Sequence, residues 1–107
     1  MLGRISSRRC AITFRIRHKI DAGQPAIIKA LREAGYSVCH LTQGGGVPDL
    51  LVSCYDAGGF AHMWLLEVKE PKGTLTEAQR AFMRNWTTPI FVVHTPEEAL
   101  EAVRVTP

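Results

Sequence analysis

Three charged residues, far apart in the chain, have the types and spacing to do chemistry together: Asp49, Glu67 and Lys69. Asp49 opens an apolar run through Leu50, Leu51 and Val52. Glu67-Val68-Lys69 closes a second run. Between the runs lies Asp56-Ala57-Gly58-Gly59, a turn by composition, so the two segments read as a β-hairpin. Strand side chains alternate, which puts Glu67 and Lys69 on one face and Val68 on the other. Folding the hairpin back brings the start of the first strand beside the end of the second. Two carboxylates and an ammonium then converge at one edge of a sheet. Carboxylates this close repel, so one takes up a proton or a cation sits between them. Mg²⁺ is suited to such a place, because it is commonly held by one or two carboxylates plus phosphate oxygens and keeps several waters. A cation there acidifies a bound water and stabilises a phosphate under in-line attack, and Lys69 can orient or deprotonate that water. The bland alternative makes Glu67 and Lys69 ordinary strand-end residues and Asp49 a turn acid after Pro48.

The elements that must position these groups are legible from periodicity. Asp21 can cap a helix with Pro25 inside its first turn. Ile27, Ile28, Leu31 and Ala34 form its apolar stripe, and Gly35 stops it. Ser37–Thr42 reads as a short strand, Gln43–Gly46 as a glycine loop, Asp49–Tyr55 and Ala61–Lys69 as the hairpin strands. Thr74-x-x-Glu77 and Thr76-x-x-Gln79 both fit a capping box. The helix they open carries Ala78, Phe82 and Trp86 as its expected buried side. Ile90–His94 is an uncharged strand, and Thr95-Pro96-Glu97-Glu98 starts a last helix anchored by Leu100 and Val103. The predicted fold is α/β: an αβββαβ core with a C-terminal helix, a three-stranded antiparallel meander joined by a parallel fourth strand, and helices on both faces of the mixed sheet.

Composition bounds the rest. At 107 residues, 46% hydrophobic and 21% charged, the chain fits one domain over residues 21–107 behind a basic arm, residues 1–20. The formal charge of +3 is uneven. Arg4, Arg8, Arg9, Arg15, Arg17 and Lys19 give the arm +6, and the remaining residues carry 7 basic against 10 acidic side chains. Such an arm suits phosphates, with a solvated tail as the alternative. Its stretch Ala11–Arg17 alternates like a strand, with an apolar side (Ile12, Phe14, Ile16) and a polar one, and an edge of that kind offers pairing to a second copy. No apolar run approaches the roughly 18–20 residues of a membrane span, and no secretory h-region is visible. Three cysteines, Cys10, Cys39 and Cys54, form no CxxC pair, which argues against a disulfide scaffold and for a reducing, cytoplasmic setting. Cys39-His40 lacks a second pair for zinc. His40, His62 and His94 fall on strand patterns as structural histidines, and Trp64 and Trp86 read as core rather than as base-stacking platforms.

Gly46-Val47-Pro48-Asp49, Glu67-Val68-Lys69, and Leu75 with Gln79 on the following helix resemble the PD-(D/E)XK nucleases. More narrowly, the chain is similar to the stand-alone VRR-NUC proteins of phage and bacteria over about residues 21–105. The resemblance implies metal-dependent cleavage of phosphodiester bonds in DNA, structure-selective for branched or junction substrates, in a bacterial or phage-infected cell. It implies Mg²⁺ or Mn²⁺ on Asp49, Glu67 and the carbonyl of Val68, with Lys69 acting on the water and Gln79 lining the cleft. Arg8, Arg9, Arg15, Arg17 and Lys72 are the expected DNA contacts, and relatives of this kind pair as homodimers. One departure stands out. The family carries an acid in the first helix, and here that position aligns with Ala26, with Gln24 and Asp21 the nearest polar residues. Gln24 is then the auxiliary candidate. The alternative is a weakened nuclease fold that binds nucleic acid or protein without cutting. Gln79 also has a purely structural reading, as the closing residue of a capping box with Thr76.

Overall fold

The structure is a computed structural model and describes residues 23–105. The arm residues Arg8, Arg9, Arg15 and Arg17, the alternating stretch 11–17 and the expected cap Asp21 lie outside the described residues. Seven elements follow in order: α1 (Gln24–Glu33), β1 (Ser37–His40), β2 (Leu50–Tyr55), β3 (Ala61–Val68), α2 (Glu77–Asn85), β4 (Ile90–Val93) and α3 (Pro96–Ala102). The strands form one sheet in the order β1-β2-β3-β4, antiparallel through β3 and parallel between β3 and β4. The expected meander and the parallel fourth strand are both present.

Pairing residues on one face of the sheet alternate with those on the other, and the alternation sorts the side chains. One face carries Val38, Leu50, Val52, Leu66 and Val68, all fully or almost fully buried against Ile27 and Leu31 of α1 and Ala99 and Val103 at α3. This is the dry core. Each of these side chains contributes about 1.5–3 kcal/mol by leaving water, and together they hold the strands in a single register. The other face carries Leu51, Met63 and Leu65, which share a groove with Phe82 and Trp86 from the α2 side. Helices therefore stand over both faces, but unequally.

Local chemistry explains the element ends. Gly23 caps α1 with no side-chain hydrogen bond, Pro25 occupies the first turn, and α1 ends in a Schellman turn: Tyr36 N donates to Leu31 O and Gly35 N to Arg32 O, both at 3.0 Å, with Gly35 at φ +100°. The hairpin between β2 and β3 is closed by Asp56, whose Oδ1 accepts from the amides of Gly58 and Phe60 while its Oδ2 meets His62 Nε2 at 2.9 Å. The His62 contact, then the Phe60 and Gly58 amides, hold the Asp56 carboxyl below its usual range. Of the two candidate capping threonines, Thr76 opens α2, and Thr95 opens α3 by accepting from Glu98 N.

Two expectations fail on burial. Ala78 is exposed and Trp86 is 45% exposed, so the repeat Ala78, Phe82, Trp86 is not a core stripe, and α2 buries none of its residues. The reason is length and position. At nine residues α2 is short, and Trp86 is its C-cap, where the backbone has already turned extended. Trp64 does pack against the core, edge-on to Tyr36 at 6.0 Å.

Two outcomes follow for stability. Because the Asp56 carboxyl titrates lower folded than unfolded, its contribution is complete above the ordinary carboxylate range and disappears as the pH falls through that range and below. Urea midpoints from pH 6 to pH 3 should therefore fall less in Asp56→Asn than in the parent chain. At Gly46 (φ +87°) a Cβ would sit 2.2 Å from the Ala78 carbonyl oxygen, whereas at Gly45 (φ +65°) it would meet nothing within 4 Å. Gly46→Ala should cost about 3 kcal/mol or more and Gly45→Ala about 1 kcal/mol by urea unfolding, since both pay for the left-handed backbone and only the first adds a backbone collision.

Candidate functional site

The β2–β3 register pairs Leu50 with Leu66 and Leu51 with Leu65. The paired register stops there. Asp49 N donates to Leu66 O at 3.1 Å, one residue out of step with the ladder, and Asp49 Oδ2 accepts from Val68 N at 2.7 Å. That bond seats the Asp49 carboxylate beside the backbone of Val68, the residue that follows Glu67.

Glu67 is 3% exposed. A buried carboxylate is costly without donors, and one donor is Gln79, whose Nε2 lies 2.9 Å from Glu67 Oε2. The same Gln79 side chain accepts from Thr76 N through Oε1 at 2.8 Å, while Gln79 N donates to Thr76 Oγ1 at 3.1 Å. Capping and site roles, read from sequence as alternatives, are performed at once by the two ends of one amide. Gly46 makes the arrangement possible: with no Cβ, the glycine loop lies directly on the Ala78–Gln79 backbone.

Lys69 follows β3 by one residue. Its amide donates to Val93 O at 3.0 Å, tying the chain to β4, and its half-buried side chain runs along Gly73, with Cδ 3.7 Å from where a Cβ there would lie. Lys72 is exposed in the turn that follows.

In α1, Ala26 is exposed and Gln24 is 2% exposed, so Gln24 is the inward residue of the first turn, and the alignment of the inward position with Ala26 is corrected. Gln24 Oε1 and Thr42 Oγ1 are buried with no hydrogen-bond partner among the described residues. Both lie at the sheet end that holds the acids. Gly23 approaches the carbonyl of His94, one residue beyond β4, and Leu41, next to Thr42, donates to Asp49 O at 2.7 Å. Sequence reading missed Thr42: β1 ends at His40, two residues short of the expected Ser37–Thr42 strand, and the hydroxyl is buried by what the rest of the chain places over it. Two of the strand histidines have acidic partners: His62 pairs with Asp56, and His94 Nδ1 lies 2.9 Å from Glu98 Oε1. Cys54 has its thiol pushed up by burial and then by the Asp56 charge, the opposite of an activated nucleophile.

The donor set discriminates among metals. Among the described residues no three His, Cys, Asp or Glu side chains gather around one point. A closed zinc or calcium cage is therefore not built from them. Carboxylates such as those of Asp49 and Glu67, each already holding an amide donor, suit a hard cation that keeps its waters, and the buried oxygens of Gln24 and Thr42 are of the kind that water or an ion satisfies. The residues that would hold it are Asp49, Glu67 and the Val68 carbonyl. Among the described residues no helix is long and apolar enough to cross a membrane. No family model, curated protein or solved structure matches this chain.

Gln79→Glu separates the two jobs of this residue. Glutamate at the third helical position still accepts from Thr76 N, but it faces Glu67 with a carboxylate in place of an amide donor. We expect a loss of about 1–3 kcal/mol by urea unfolding in a chelator, with part of that loss recovered when Mn²⁺ is added.

Proposed function

We propose that this chain is a metal-dependent nuclease with a restriction-endonuclease-like core that hydrolyses phosphodiester bonds in DNA, preferring branched or junction structures. The observation that supports it is the Asp49 carboxylate held on Val68 N, one residue from the buried Glu67, whose own carboxylate is bound by Gln79. In this reading Asp49, Glu67 and the Val68 carbonyl hold Mg²⁺ or Mn²⁺. Such a cation supplies Lewis acidity, acidifying a bound water and offsetting charge on the phosphate.

The chain's own residues do the rest. Val68 N fixes the Asp49 carboxylate and Gln79 Nε2 fixes that of Glu67, so neither needs to reorganise as charge develops. Lys69, two residues beyond Glu67, would orient the attacking water through its ammonium, and the water's proton would pass to solvent. Water forms one P–O bond, one ester P–O bond breaks, and the departing oxygen is protonated from solvent. The basic arm, with Arg8, Arg9, Arg15 and Arg17, together with Lys72, supplies sequence-independent phosphate contacts. The active species is a homodimer that acts on both arms of a branched substrate.

A second reading is a nuclease-fold module that binds nucleic acid or protein without cutting. It is favoured by Gln24, the buried residue in the first turn of α1, which is a neutral amide in the helix where the resembled nucleases carry an acid.

Incubating branched and duplex DNA with Mg²⁺ or Mn²⁺ decides between them. The nuclease reading expects cleavage that falls about 10²-fold or more in Lys69→Ala and at least as far in Asp49→Ala and Glu67→Ala. It also expects stabilisation by Mn²⁺ of about 2.7 kcal/mol at a hundred times the dissociation constant. Cleavage that survives all three substitutions would remove the assignment, and stable folding with no response to either metal would favour the binding module.

A further inference from the structure

The first turn of α2 touches the chain on both sides of the candidate site. Gln79 Nε2 donates to Glu67 Oε2 at 2.9 Å, near the end of β3. Gly46, three residues before Asp49, lies so close to the same turn that a Cβ there would come within 2.2 Å of the Ala78 carbonyl oxygen. Thr76 is what fixes this turn. Its Oγ1 accepts from Gln79 N at 3.1 Å, and its N donates to Gln79 Oε1 at 2.8 Å.

The second of these bonds decides which way the amide points. A backbone N–H can only donate, so Gln79 must offer it Oε1, and the planar amide then turns Nε2 toward Glu67. With the amide reversed, Oε1 would face a buried carboxylate, two acceptors in opposition. The residue type fits this double demand. Glutamate closes a capping box as well as glutamine does, and at α3 the third position is Glu98, whose N donates to Thr95 Oγ1 at the same 3.1 Å. At α2 a glutamate would set a second carboxylate against Glu67. Only an amide takes a hydrogen bond from Thr76 N at one end and gives one to Glu67 at the other. Thr76 itself is exposed, and its hydroxyl meets Gln79 rather than either acid.

We propose that Thr76 is a positioning residue of the cation site: through the Gln79 amide it holds the Glu67 carboxylate in its binding orientation. Outer-shell groups orient a ligand without touching the metal, and their loss weakens metal binding. Occupancy by Mg²⁺ or Mn²⁺ and the order of the first turn of α2 therefore rise and fall together, each favouring the other by the same factor. The proposal deepens the nuclease reading, resting on its cation and not on its cleavage.

The test titrates the full chain with Mn²⁺, counting the free ion by electron paramagnetic resonance, with urea midpoints measured beside it. Gln79→Ala should weaken Mn²⁺ binding about 10- to 100-fold, the usual effect of losing an outer-shell partner. Thr76→Ala should weaken it about 5-fold, the equilibrium factor of one helix cap. Thr76→Pro also deletes the N–H that fixes Oε1 and should weaken it further. Thr76→Ser keeps both bonds and should bind as the parent does. Thr95→Ala is the control: it removes the matching bond from α3, on the other sheet face, and should lower the urea midpoint as Thr76→Ala does while leaving Mn²⁺ affinity unchanged. Equal losses of affinity in Thr76→Ala and Thr95→Ala overturn the proposal and leave the nuclease reading standing. So does parent affinity in both Thr76→Ala and Thr76→Pro. A parent chain that binds no Mn²⁺ removes both. Mn²⁺ binding that follows Thr76 in a chain that cuts no DNA keeps the proposal and removes the nuclease.

Discussion

The antiparallel register between β2 and β3 is the constraint on which everything else depends. Leu50 opposite Leu66 and Val52 opposite Trp64 put one set of side chains into the core, and the alternation then leaves Asp49, Leu51, Leu65 and Glu67 on the far face. A slip of one residue would exchange the two sets, driving carboxylates among Ile27, Leu31 and Val103 and exposing the leucines and valines. The penalty for that exchange is the sum of several buried apolar side chains and the desolvated charges, so hydrophobic burial on one side of the sheet fixes which residues stand on the other. Asp56 contributes at the far end of the same hairpin by closing the turn with its own carboxylate, which fixes where the return strand begins.

The two faces divide the work. The α1 and α3 side supplies a dry core in which no side chain has freedom to adapt. The α2 side covers a more open face, and three contacts tie it down: the close approach of Gly46 to the helix backbone, the Thr76 cap, and the amide of Gln79. Because one amide both caps the helix and binds Glu67, the start of α2 and the orientation of the buried carboxylate are a single structural event. A helix that frays at Thr76 releases Glu67, and a cation that draws on Glu67 acts on the first turn of α2.

How much of this could be read from residues alone follows from which forces are local. The hairpin was legible because Asp56-Ala57-Gly58-Gly59 and two apolar runs are short-range signals, and they bring Asp49 beside the end of β3, where its carboxylate meets Val68 N. The cap at Thr76 and the stop at Gly35 are equally local. Trp86 misled for a related reason: a four-residue repeat indicates which residues share a face, but not whether anything covers it, and the helix ends before Trp86 can fold under. The alignment of Ala26 with the inward position also failed. A two-residue shift moves a residue about 200° around a helix, and only packing against the sheet fixes the rotation that buries Gln24 and Ile27. Thr42 was invisible because burial of a loop hydroxyl depends on what the rest of the chain places over it.

The neutrality of Gln24 bears on the charge balance of the site. Three carboxylates around one point would repel strongly when empty and demand a cation for the fold itself, whereas two carboxylates, one held by a backbone amide and one by a side-chain amide, are tolerable without one. On the nuclease reading proposed above, a site of the second kind would fold first and bind afterwards, holding a hard cation through fewer protein oxygens and leaving more of the coordination shell to water and phosphate. Metal and nucleic acid would then each raise the other's affinity by the same factor, and a neutral Gln24 would favour a centre completed by its substrate over a preloaded one.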